Sequence, residues 1–105
     1  MRVEIACSTW SRLRGLLGRK RFDGVLLLMP CNDVHTFGMK APIDIAFVEQ
    51  DGFVAESHCG VGPCRRLRCK AAIATLERFS DEAPWFEQGD RVEFKDLICD
   101  QRSNK

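Results

Sequence analysis

The sequence predicts a mainly β fold: a compact antiparallel, sandwich- or barrel-like single domain with one short N-terminal helix and one short C-terminal helical turn. Three observations predict it. The apolar residues gather in runs of strand length, such as GVLLLM from Gly24 and IDIAFV from Ile43. Turn formers separate those runs: Pro30, Pro42, Asp51-Gly52 and Gly89-Asp90. Only one early stretch carries a clear helical period.

Each element follows in order. Residues 2–6 (RVEIA) alternate and read as a short strand. Ser8 or Thr9 can cap a helix from about Trp10 to Leu17, with Trp10, Leu13, Leu16 and Leu17 on one face. Gly18 suits its left-handed end. The run from Gly24 to Met29 is too short for a stable helix and reads as a strand buried on both faces. Pro30 to Asp33 make a turn, and Val34 to Lys40 form the next strand. Pro42 keeps Ala41 out of helical space. Ile43 to Gln50 is a strand, Asp51-Gly52 a two-residue hairpin turn with positive φ at both positions, and Phe53 to His58 the antiparallel return. Cys59 to Lys70 (CGVGPCRRLRCK) is a basic loop, and Ala71 to Phe79 (AAIATLERF) has a helical composition. Ser80, Asp81 and Glu82 suggest one helical turn through Phe86, and Arg91 to Ile98 a last strand. The tail, 100–105, is expected to be frayed.

At 105 residues the chain is one domain, 1–105, since either half would be too small to hold a core. The net charge of +1 gives no overall pull toward nucleic acid or acidic membranes, so neither is an expected partner. No stretch of about 20 apolar residues is present to span a bilayer. The start, MRVEIACSTW, lacks a basic segment followed by a long apolar run. A cytoplasmic location is therefore expected, with the six cysteines reduced. Cys7 and Cys99 stand where small packed residues fit.

In chain order, GLLGR (Gly15 to Arg19), GVLLL, VHTFGMKAPIDIAFVEQDG, ATLE (Ala74 to Glu77) and QGDRVEF together resemble the bacterial and archaeal family named domain of unknown function 192 (DUF192). The most specific residues are Phe37, Met39, Lys40, Pro42, Ile43, Asp44, Ile45, Asp51 and Gly52. The chain is similar to a short form with a His-Thr-Phe lead-in, with Gly38 where many members carry Trp. The resemblance implies a mainly β, sandwich-type fold with short helices, which makes residues 71–79 a strand. It implies no catalytic residues, because none is established for the family.

Three constellations could carry chemistry. If the strands from Val34 and from Ile43 pair as a hairpin with Phe37 and Phe47 facing the core, then Thr36, Lys40 and Asp44 share the other face. That geometry makes His35, Thr36, Lys40 and Asp44 the candidate site, with Lys40 and Asp44 supplying polar specificity for an unknown small ligand or protein partner. The competing reading makes Asp44 a structural carboxylate that ties down a backbone amide or Lys40. His35 with Cys31 raises a nucleophile–base alternative, a hydrolase-like or thiol-dependent enzyme, though no oxyanion motif accompanies it. His58, Cys59, Cys64 and Cys69 form the second constellation, a metal or redox loop over 58–69 whose C-x4-C-x4-C spacing departs from a zinc knuckle. The third is basic charge, at Arg12 to Arg21 and at Arg65 to Lys70, with a solvated face as the plain explanation. The reading on balance is a non-catalytic binding or accessory module with its site on the 35–44 hairpin and no cofactor.

Overall fold

The computed structural model of the chain describes residues 24–93 in full and the backbone of residues 2–6. The helix expected from Trp10, the early basic run, Cys7, Cys99, most of the last strand and the 100–105 tail lie outside the described residues.

Seven strands are described: β1 (Arg2–Ala6), β2 (Gly24–Leu28), β3 (Asp33–His35), β4 (Ile43–Val48), β5 (Val54–Val61), β6 (Arg66–Arg68) and β7 (Ala74–Phe79). Five form one sheet in the order β1-β2-β7-β4-β5, and β3 with β6 forms a separate ribbon. All pairings but one are antiparallel, as expected; β1 runs parallel to β2. The large sheet stays open, with β1 and β5 at its ends, so the domain is layered and not a closed barrel.

The central strands show why the apolar runs lack alternation. Every residue of β4 and β7 is buried, as are Val25 to Leu28 of β2, because both faces of the sheet are covered. On one face Leu26, Leu28, Ile43, Ile45, Phe47 and Phe79 meet Val34 and Cys69, which the ribbon brings down. On the other face Val25, Leu27, Ala46, Val48 and Leu76 meet Val92, Trp85 and Phe86. Burying each large side chain contributes roughly 1.5–3 kcal/mol before entropy is counted.

The strand expected over residues 71–79 is present from Ala74 as β7, which lies between β2 and β4 and buries Ala74, Leu76 and Phe79. Tertiary burial overrides the helical composition here. The turn after β4 is also where the sequence put it, with a different geometry. The Gly52 amide donates to the Glu49 carbonyl at 2.9 Å, and only Gly52, at φ 93°, takes a left-handed conformation. Asp51 does not; its carboxylate accepts the Phe53 amide at 3.1 Å and fixes the corner.

Two expectations are corrected. Val34 to Lys40 is not a strand that pairs with β4. The strand stops at His35, and the chain turns through Phe37 and Gly38, the latter at φ 83°. β4 is already bonded on both edges, by β5 and β7, so β3 pairs with β6 instead. The predicted 35–44 hairpin is therefore absent. The helical turn over residues 80–86 is absent as well. Asp81 accepts the Ala83 amide at 2.7 Å in a tight local turn, and the Ala83 and Pro84 carbonyls face the Arg78 guanidinium. Those carbonyls are thereby drawn away from a helical ladder, and Pro84 has no amide to continue one. Among the described residues no helix is long and apolar enough to cross a membrane.

Candidate functional site

Asp44 is the second residue of β4, opposite Arg78 of β7, and both are buried. Two charged residues in adjacent apolar strands must satisfy each other. Arg78 Nε donates to Asp44 Oδ2 at 2.7 Å, while Asp44 Oδ1 accepts from the Ser80 hydroxyl at 2.7 Å and from the Gly60 amide at 2.8 Å. The remaining Arg78 nitrogens donate to the Pro84 carbonyl at 3.2 Å and the Ala83 carbonyl at 2.6 Å, and the guanidinium lies 4.7 Å from the centre of the Trp85 ring. Burial alone would raise the Asp44 pKa. The bonds from Ser80, Gly60 and Arg78 outweigh it and hold the carboxyl below its ordinary value. With both oxygens engaged, this carboxylate ties β4, β5 and β7 together.

Lys40 takes no part in that cluster. It is exposed in the turn before β4, and its ammonium has no hydrogen bond or ion pair among the described residues. The juxtaposition of Lys40 with Asp44 required a hairpin between the strands that carry them, and β4 has no free edge for it. Thr36 is also internal. Its hydroxyl donates to the Gly62 carbonyl at 2.7 Å and accepts the Arg65 amide at 2.8 Å. Its backbone amide donates to the Arg65 carbonyl at 2.8 Å, and its carbonyl accepts from Met39 and Cys64. Thr36 is thus the strut that locks the 36–39 turn to the loop before β6.

His35 is exposed. Its Nδ1 accepts the Phe37 amide at 3.2 Å, and its ring stacks on Phe37 with centroids 5.2 Å apart and 27° between planes. Phe37, expected in the core, is instead 50% exposed, while Met39 turns inward to the core. The Gly38 turn throws the two side chains to different sides. Cys31 packs against the core and its thiol points at the Asp33 carbonyl, 3.6 Å away. The thiol and the imidazole thus each have another partner, and the nucleophile–base pair is not assembled.

The ribbon has one inward and one outward face. Val34 and Leu67 pair and point to the core; Asp33, His35, Arg66 and Arg68 face out. Arg66 forms a two-pronged bond to Asp33, with Nε to Oδ1 at 3.0 Å. That bond holds the Asp33 carboxyl below its ordinary value against the opposing effect of burial, and the fields of Arg66, Arg68 and His35 add to it. Among the described residues, the other fixed cations divide sharply. Arg78 is paired with Asp44 and Arg91 with Glu93. Lys40, Arg65, Arg68 and Lys70 have no side-chain hydrogen bond or ion pair, and all belong to the ribbon or the turns that adjoin it.

The 58–69 segment leaves the four residues of the second constellation apart. Among the described residues no three His, Cys, Asp or Glu side chains converge to hold an ion. His58 Nε2 lies 3.1 Å from the Glu56 carboxylate, Cys59 and Cys64 are exposed, and Cys69 is buried beneath the ribbon. Burial pushes the Cys69 thiol up, and the nearby Glu56 carboxylate adds to the rise, so Cys69 is held protonated. Much of the supposed loop is strand: β5 extends to Val61 and β6 follows from Arg66.

Sequence reasoning missed Arg78, Ser80 and Gly60 as the partners of Asp44, and Phe37 as a surface residue. Arg78 left a signal. A Glu-Arg pair inside ATLERF and a lone Asp inside IDIAFV put charges in two apolar strands, which calls for partners between them.

The comparisons with known proteins accord with this fold. The model of the DUF192 family, described as "Uncharacterized ACR", matches residues 1–94. A protein of unknown function from Novosphingobium aromaticivorans DSM 12444 is similar in structure, with a TM-score of 0.77 and 23% identity over 89% of this chain and 74% of that one. A protein titled a putative transcription regulator, from Sinorhizobium meliloti 1021, has a TM-score of 0.75 and 22% identity over 87% of this chain and 79% of that one. At such identities the likeness is one of fold. A search of curated proteins found no match.

Proposed function

We infer that this chain, which belongs to the DUF192 family of uncharacterized proteins, is a non-catalytic binding module that meets a protein partner through the outward face of the β3–β6 ribbon. The observation that carries this reading is Phe37, half exposed and stacked on His35, beside cations that have no carboxylate of their own among the described residues. Exposed aromatic rings and arginines are the groups enriched where proteins meet. His35 and Lys40 belong to that surface, Thr36 holds it in place, and Asp44 supports the sheet beneath. A cytoplasmic location is part of the same proposal: exposed, unpaired Cys59 and Cys64 suit a reducing compartment.

A random peptide library displayed on phage tests the reading. Peptides selected on the wild-type chain are to be counter-screened on the Phe37→Ser/Arg68→Glu double variant, after circular dichroism confirms that it folds. The reading expects most selected peptides to lose binding. Peptides that tolerate the double change would move the contact surface elsewhere on the molecule.

A further inference from the structure

We propose that the outward face of the β3–β6 ribbon recognises an extended acidic peptide segment, with carboxylates on Arg68 and its neighbouring cations and an apolar side chain on the Phe37–His35 stack. The proposal rests on the preceding reading and names the chemistry of the partner.

The distribution of charge is the first argument. Lys40, Arg65, Arg68 and Lys70 are the described cations without a partner, and they flank or stand on one small ribbon. The chain as a whole carries only +1, so this is a local excess that the rest of the surface offsets. A nucleic acid, with a phosphate about every 3.4 Å along each strand, gains little from a nearly neutral chain. A short acidic segment needs only the local excess.

Spacing is the second argument. Arg66 and Arg68 lie two residues apart on one face of a strand, about 6.6–6.8 Å along its axis. An extended peptide repeats its same-face side chains at that interval, so a carboxylate on Arg68 puts the peptide's next same-face side chain in step with Arg66, which Asp33 already holds, and with the His35 end of the ribbon. The ribbon already displays this recognition within itself. Arg66 grips the Asp33 carboxylate with two nitrogens, the planar fork geometry that favours arginine over lysine. Arg68, directly opposite Asp33 in the register, has no such grip on it. It is the guanidinium left free for an incoming carboxylate.

The third argument is the aromatic stack. Phe37 is half exposed although inward positions were close by, and the Thr36 bonds and the Gly38 turn hold it outward. The His35 imidazole stacks on it, leaving an exposed pair of rings at the end of the charged row. A peptide with alternating acids and one apolar side chain matches that order of charge and rings.

The test is fluorescence anisotropy with a dye-labelled peptide of alternating Glu and Ser residues around one Phe. Its comparators are the same peptide with Gln in place of Glu, and a single-stranded oligonucleotide of equal charge. The proposal expects the acidic peptide to bind, to weaken as salt rises, and to lose about tenfold or more in affinity with Arg68→Glu or Lys70→Glu. Phe37→Ser should weaken it as well, and Gln88→Glu, on the segment covering the opposite face of the sheet, should leave it unchanged. Equal binding of the Gln peptide, tighter binding of the oligonucleotide, or indifference to both charge reversals would each overturn the proposal. If peptides selected from the library still require Phe37 and Arg68 but are neutral, the binding face stands and only the acidic class fails. If neither acidic nor selected peptides depend on the ribbon, both readings fall together.

Discussion

Asp44→Ala should cost the domain about 3 kcal/mol. The substitution removes the carboxylate that accepts from Arg78 at 2.7 Å, from Ser80 at 2.7 Å and from Gly60 at 2.8 Å. It leaves the Arg78 guanidinium buried between strands with carbonyls for company. Breaking a buried ion pair from one side costs about 3–5 kcal/mol, chiefly because the surviving charge is stranded. The lower end applies here, since Asp81 stays 3.4 Å from Arg78 and the Ala83 and Pro84 carbonyls still accept from it. A domain of this size has about 5–15 kcal/mol in total. With a urea dependence of about 1–2 kcal/mol per molar, the midpoint should fall by roughly 2 M. Urea titration at pH 7, followed by circular dichroism, reads this directly. Asp44→Asn keeps the size of the side chain and serves if the alanine variant does not fold. Asp44→Leu with Arg78→Met should lose much less than Asp44→Ala, because neither charge is left alone. A loss below about 1 kcal/mol for both single variants would refute the structural role given to Asp44.

Acid should expose the same pair. The folded pKa of Asp44 is depressed, so its stabilising contribution is complete above the unfolded value of about 3.9 and disappears as pH falls through the lower folded value. Asp44→Asn should therefore flatten the pH dependence of stability below about pH 4, measured as urea midpoints, and an unchanged acid slope would count against the pairing. Gly52→Ala should destabilise by about 1–3 kcal/mol in a thermal melt, because φ is 93° and a Cβ would meet the Val92 carbonyl oxygen at 2.6 Å. Thr36→Val should cost about 1–3 kcal/mol and loosen the 36–39 turn, read as faster amide exchange at Met39 and Arg65; unchanged exchange would remove Thr36 as the strut. Brief iodoacetamide labelling with mass-spectrometric mapping should modify Cys59 and Cys64 and spare Cys69, and rapid modification of Cys69 would contradict its burial.

Local chemistry made much of the sheet legible, and long-range pairing limited the rest. β2, β4 and the Gly52 turn could be read from short apolar runs and a Gly that supplies positive φ. The family likeness placed β7 against its helical composition. The ribbon was not legible, because β6 is only Arg-Leu-Arg and carries no apolar run, and its partner lies some thirty residues earlier. Once β6 is hidden, Val34 to Lys40 has no evident neighbour but β4, and the false hairpin follows. The candidate site inherited that error. His35 and Lys40 were placed at a surface for the wrong reason, Phe37 was turned inward, and Asp44 was given a cation four residues away instead of Arg78, thirty-four residues on. The alternative reading of Asp44 as a structural carboxylate matches its geometry in the backbone amide it holds, from Gly60, but its cation is Arg78 and not Lys40.

The most direct measurement of the binding face is an amide chemical-shift titration of the isotope-labelled chain with the alternating Glu-Ser peptide. Perturbations that gather at residues 33–40 and 65–70 and vanish in the Phe37→Ser/Arg68→Glu variant are the predicted outcome. Perturbations centred on β5 or the 83–92 segment, unaffected by that double substitution, would contradict it.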